Sequence, residues 1–235
     1  MNMRKVLLLL LGVSLLAVVT TSCDTDDDGK YSIGDFIVSL GVVQKESPDA
    51  NSYVIQLDNG DSFVPVATSV PYLNVYNNQR VWVNFNPLDD KTNVDGSLTY
   101  YGKLNDLREI LYKDVSVASQ VSADSMGYDP IDVKDIWMSQ DSILNVEISF
   151  YTAGSTHYIN LVNDETGDGV TQPYMLDLKH NARGDEQAYR TSGVVSFKLG
   201  TLKASGNNSV DFIVRYTNYK GQTIEEPAMT FHYGT

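Results

Sequence analysis

Thiols are almost missing from this chain. Cys23 is the only cysteine in 235 residues, so no internal disulfide can staple the fold. Basic residues are also scarce, at 17 Lys and Arg against 30 Asp and Glu. A field of that sign repels nucleic acid and anionic headgroups, so no nucleic-acid partner is expected. Long apolar runs are missing past residue 19, which excludes a later membrane-spanning helix. No G-x-S-x-G elbow occurs, and no pair of carboxylates stands out for glycoside hydrolysis. No βαβ rhythm and no long internal repeat appears either.

What is present begins at the N-terminus. Arg4 and Lys5 precede the leucine-rich run Val6 to Val19, which is shorter than the roughly 20 residues of a spanning helix. With the small residues Thr20, Thr21 and Ser22 after it, residues 1–22 read as a removable signal. Its loss leaves 15 basic and 30 acidic residues, a net charge of −15.

The stretch CDTDDDGKYSIGD (23–35) allows two readings. Asp24, Asp26, Asp28, Gly29 and Asp35 match the spacing of a calcium loop. No incoming helix can precede Asp24, however. Tyr31 stands where an aliphatic residue is usual, and FIVSLGVV after the loop alternates as a strand. No metal site and no cofactor is therefore expected. The stretch resembles the start of a Bacteroidetes-type lipoprotein, departing from the usual lipobox at Thr20. The resemblance implies acylation of Cys23, and the acids after it resemble that phylum's surface-export signal. Residues 23–34 would be an acidic tether.

Strand signals dominate the rest. Phe36, Val38, Leu40 and Val42 alternate. SYVIQL (52–57) and SFVPV (62–66) flank the hairpin turn DNGD. Pro65 cannot donate to a ladder and marks an edge or a bulge. RVWVNF (80–85) and SLTYYGKL (97–104) follow, and LREILYKDV (107–115) fits either a helical turn or a new strand. About five short strands over 35–116 suit a small OB-like barrel. Residues 117–130 are turn-rich and read as a linker. Strand patterns at 131–138, 143–151, 156–163, 174–180, 193–200, 210–218 and 228–234 argue for an antiparallel β-sandwich over 131–235. SQDS joins the first pair and YKGQ (219–222) the last pair. The fold class is all-β.

The motifs GDFIVSLGVV, YVIQLDNGDSF, RVWVNF, GYDPIDVKDIWMSQDSILNVEISF and HYINLVND together resemble the NigD-like lipoproteins of Bacteroidales. That resemblance implies an N-terminal OB-like domain and a C-terminal β-sandwich. It also implies a role related to bacteriocin immunity, and it brings no catalytic residues.

Candidate sites are few. With Val81, Val83 and Phe85 facing the core, Trp82 points outward with Arg80 and Asn84. There it could stack on a ligand ring or pack against the other domain. His157, His180 and His232 lack the close spacing of a metal site, and ordinary strand histidines are expected. Asp164, Glu165 and Asp168 form an acidic loop that reads as a solvated turn. Asp124-Ser125-Met126 and Asp141-Ser142-Ile143 resemble Bacteroidetes O-glycosylation acceptors. Ser125 and Ser142 are equally plain turn residues. The expected function is a non-enzymatic, lipid-anchored envelope protein of the outer membrane, surface-exposed or facing the periplasm. It would bind a protein or glycan partner. A structural subunit of a surface complex, a glycan-binding accessory protein and a carbohydrate-active enzyme are the competing readings.

Overall fold

Period-two alternation builds nearly every element of the chain. The computed structural model describes residues 30–32, 34–122, 124–140, 142–163, 173–203 and 207–233. Residues 30–32 belong to an N-terminal unit, 1–32, and the remainder forms one unit over 33–235.

The strands β1 (Ile37–Gln44), β2 (Val54–Leu57), β3 (Ser62–Thr68), β4 (Arg80–Thr92) and β5 (Leu98–Glu109) close a barrel in the order β1-β2-β3-β5-β4. The β2–β3 loop owes its shape to Asn59-Gly60. Gly60 N–H donates to Leu57 C=O at 3.1 Å, and Gly60 takes φ +92°. This is a type I turn closed by a left-handed glycine, as three-residue hairpin loops prefer. Pro65 sits at a register shift against β5. Because the barrel is closed, Pro65 marks a bulge and not an edge. Ile55, Leu57, Phe63, Val81, Val83, Phe85 and Leu104 fill the interior, with Phe63 and Phe85 stacked at 3.9 Å. The inward face of RVWVNF is thus the expected one.

The second module has two sheets. One runs β6 (Leu111–Asp114), β12 (Tyr189–Lys198), β9 (Ile143–Thr152), β8 (Asp132–Ser139). In the other, β13 (Ser209–Thr217) pairs with β14 (Thr223–Glu225), β15 (Met229–His232) and β11 (Tyr174–Asn181). Then come β10 (Tyr158–Asn163) and β7 (Ser116–Val117). Leu144, Val146, Leu161, Leu176, Phe197, Phe212 and Phe231 pack between the sheets. YKGQ joins β13 to the short β14, not to the final strand.

The module boundary lies earlier than expected. LREILYKDV is two strands broken at Ile110, and β6 already pairs in parallel with β12 of the sandwich. Residues 118–122 and 124–130 lie in the stretch 117–130 expected as a linker. They form a strap across the sandwich: Asn160 Nδ2 donates to Ser125 C=O at 3.0 Å, and Asn181 Nδ2 donates to Asp124 C=O at 2.9 Å. A Cβ on Gly127 would stand 2.4 Å from Asn181 Cα, so only glycine fits so close to β11. Turn-rich composition serves a strap and a linker equally, and side chains on distant strands decide between them.

Candidate functional site

The outer face of the barrel carries three cross-strand rows. Val42 and Arg80 pair in the first, Leu40, Trp82 and Arg108 in the second, and Val38, Asn84 and Asp106 in the third. The sandwich covers the first row, where Val42 is 8 % and Arg80 1 % exposed. The second row is partly open, and the third carries Val38 at 46 %, with Phe36 just ahead of the strand at 65 %.

Arg80 therefore does not stand beside Trp82 as a free ligand group. Its guanidinium grips Asp58 with two bonds, Nη1 to Oδ1 at 2.5 Å and Nη2 to Oδ2 at 2.6 Å. It also donates to Asn145 Oδ1 at 2.8 Å and Ser196 Oγ at 3.2 Å, both on the sandwich. Asn145 Nδ2 in turn donates to Ser139 Oγ at 2.9 Å. Alternation sent Arg80 outward correctly, but outward at that end means into the other module. A buried guanidinium needs such partners to offset its lost hydration, so Arg80 is an interdomain pin.

Trp82 and Asn84 remain available. The Arg108 guanidinium lies 5.3 Å from the Trp82 ring centroid and pairs with Asp106 at 2.8 Å. Trp82 is half-buried, and its indole N–H has no hydrogen-bond partner among the described residues. Asn84 accepts from Asn105 Nδ2 at 3.0 Å, leaving its own amide N–H groups unspent among those residues. An aromatic face, a flanking guanidinium, an idle amide and exposed aliphatics make a surface suited to binding. Leu40, Val38 and Arg108 were not singled out beforehand, since the pairing of β1 and β5 with β4 is needed to place them.

The histidines divide. His232 is exposed on β15. His157 and His180, far apart in sequence, meet with Nδ1 and Nε2 at 2.8 Å. His180 Nδ1–H donates to Pro130 C=O at 2.9 Å, and His157 Nε2 faces Asp185 Oδ2 at 3.1 Å. Phe150 covers both rings, at 4.7 and 5.2 Å. The Thr152 hydroxyl first, then the Ala153 N–H and His157, hold the Asp185 carboxyl well below the usual range against the opposing effect of burial. Burial, chiefly, lowers the His180 pKa. With every ring nitrogen in a hydrogen bond, the cluster has no free ligand position for a metal. It locks the end of the sandwich core, and Asp185 carried no sequence signal for this role.

Ser142 is exposed on the β8–β9 turn and donates to Gln140 C=O at 3.2 Å. Ser125 is half-buried in the strap, with its hydroxyl 2.8 Å from that of Ser122. Cys23, the Asp24–Gly29 stretch and the acidic residues Asp164, Glu165 and Asp168 lie outside the described residues.

Residues 42–110 match the NigD-like N-terminal OB domain, and residues 114–231 match the NigD-like C-terminal beta sandwich domain. The chain belongs to the NigD-like family. A solved structure from Parabacteroides distasonis, described as toxin-related, shares 28 % identity at TM-score 0.68, covering 84 % of this chain and 94 % of that one. A Bacteroides vulgatus protein of unknown function shares 25 % at 0.64, with coverages of 86 % and 92 %. A NigD-like immunity protein from Bacteroides caccae has the same fold, at 19 % identity, TM-score 0.62 and coverages of 86 % and 98 %. No curated protein matches the chain.

Proposed function

We propose that the protein is a lipid-anchored envelope component that acts by binding a protein partner, not by catalysis. The observation that carries this reading is the open end of the barrel's outer face, where Trp82 with Arg108 borders exposed Val38 and Phe36. Tryptophan and arginine at the edge of an apolar patch are the residue types that dominate binding energy at interfaces. Family membership supports a bacteriocin-immunity setting, as does the toxin-related description of the Parabacteroides distasonis relative. A basic toxin is the partner that the acidic surface would attract. The N-terminal signal and Cys23 support the anchor.

Two variants test the reading. Trp82→Ala should weaken capture of the partner from envelope extracts by about 2 kcal/mol or more, a hot-spot loss, with little change in melting temperature. Full retention of capture, or a stability loss of about 3–5 kcal/mol as for a core aromatic, would remove Trp82 from the interface. Cys23→Ala should release the protein from membranes and abolish the acylated N-terminal peptide in mass spectrometry. Membrane retention of a cleaved Cys23→Ala protein would refute the anchor.

A further inference from the structure

A second surface, independent of the Trp82 reading, runs along the junction of barrel and sandwich. Two openings of about 600 and 370 Å³ share Tyr112 and Lys198 and so form one groove. The chain has nearly two acids for every base, yet three lysines line this groove against the two acids Glu109 and Asp114. Glu109 is engaged by the Tyr76 hydroxyl. Lys198 and Asp114 are cross-strand partners. The Lys198 ammonium nevertheless lies over the Tyr112 ring, 4.5 Å from its centroid, and no described carboxylate pairs with it. Lys203 likewise has no described carboxylate partner. Asn77 spends its Oδ1 on the Lys45 N–H at 2.9 Å and keeps its amide donors free among the described residues.

We infer that this groove binds a short acidic oligosaccharide, one carrying uronic-acid carboxylates. Lys198 and Lys203, which lie over the Tyr112 and Tyr233 rings and have no carboxylate partner among the described residues, would take a carboxylate, a charge-assisted bond of the stronger kind. The exposed face of Tyr76 suits a sugar ring, and the Asn77 amide suits a hydroxyl. Sparse charge matters. The groove is locally positive inside a strongly negative molecule, so a ligand charged at every unit meets long-range repulsion. One with carboxylates spaced by sugar rings meets less. That favours an acidic glycan over a polyacidic peptide.

Titration calorimetry of the purified protein with tetragalacturonate, at low and at physiological salt, tests the inference. Binding should weaken with salt. The Lys198→Ala/Lys203→Ala variant should bind about tenfold or more weakly with an unchanged melting temperature, and Trp82→Ala should bind as the parent does. Four results would each overturn the inference: no heat at about 1 mM ligand, equal binding by the double variant, equal binding of a neutral tetrasaccharide, or tighter binding of a polyaspartate peptide. None of them bears on partner capture through Trp82, so the two readings fail separately.

Discussion

His180, unremarkable in sequence, sets an acid limit on the fold. Buried His180 is held neutral by desolvation, its pKa pushed below the ordinary 6.5. A base with a depressed folded pKa binds fewer protons in the native state than in the unfolded chain. Its stability contribution is complete above about 6.5 and is lost as the pH falls from there through the folded value. The loss can reach about 1.4 kcal/mol per pH unit, the limit for one proton. Asp185, held low, adds a second loss only below the ordinary carboxylate value of 3.8. Urea unfolding between pH 7 and 5 should therefore show falling stability. His180→Gln, which keeps one donor and one acceptor, should flatten that slope. An unchanged slope in the variant would place the acid sensitivity elsewhere. The same scale shows what a sequence can reveal. Alternation along RVWVNF correctly aimed Trp82, Arg80 and Asn84 away from the barrel core. It carries no information on what lies beyond, so the fate of Arg80 had to come from Asn145 and Ser196, which share no local pattern with it.

Among the elements, strands were legible and their partners were not. Hydrophobic alternation marked β4, β9 and β13 because each lines a core with every second residue, whereas the alternating Val38, Leu40 and Val42 of β1 lie on the barrel's outer face. The short β7 and β14 bury too little to leave a pattern, and β6 was masked by the helical spacing of Leu107, Ile110 and Leu111. The strap over 118–130 was hidden for a different reason: its order comes from Asn160 and Asn181, side chains on other strands. Composition of the segment itself suggests exposure and early proteolysis. Its hydrogen bonds, and the seating of Gly127 on β11, argue the opposite, because cleavage requires the segment to leave its site. Limited trypsin-free proteolysis with a broad protease should spare 124–130 in the native protein. Gly127→Ala should destabilise the fold by about 1–3 kcal/mol, since its methyl group must displace backbone, and should render the strap cleavable. Early cutting within 124–130 of the parent would show the segment to be a true linker.

Across the whole molecule, the two modules are joined by chemistry that couples their stability. Gln140 Nε2 on the β8–β9 turn donates to Gln56 and Leu57 carbonyls of the barrel at 3.2 and 3.4 Å. The larger link is Arg80, with a side chain fully out of solvent, bridging Asp58 of its own barrel to Asn145 and Ser196 of the sandwich. The guanidinium has its full set of partners only while the modules are together. Separation would break only the guanidinium's bonds to Asn145 and Ser196 and return those groups to water, leaving the Arg80–Asp58 pair within the barrel, so the pin's net strength is modest; its removal from one side is a different matter. Arg80→Ala leaves the Asp58 carboxylate, whose side chain is only 15 % exposed, and the Asn145 carbonyl without the guanidinium. Breaking a buried pair from one side costs about 3–5 kcal/mol. Arg80→Met combined with Asp58→Leu removes both charges and should cost clearly less. Calorimetry of the parent should show one cooperative transition, since each module buries part of the other's outer face. Arg80→Ala should lower the midpoint and separate the barrel's unfolding from that of the sandwich. Two transitions already present in the parent would mean that the modules unfold independently. A loss below about 1 kcal/mol in Arg80→Ala would mean that the apolar contacts around Val42 and Ile110, and not the ion cluster, hold the modules together.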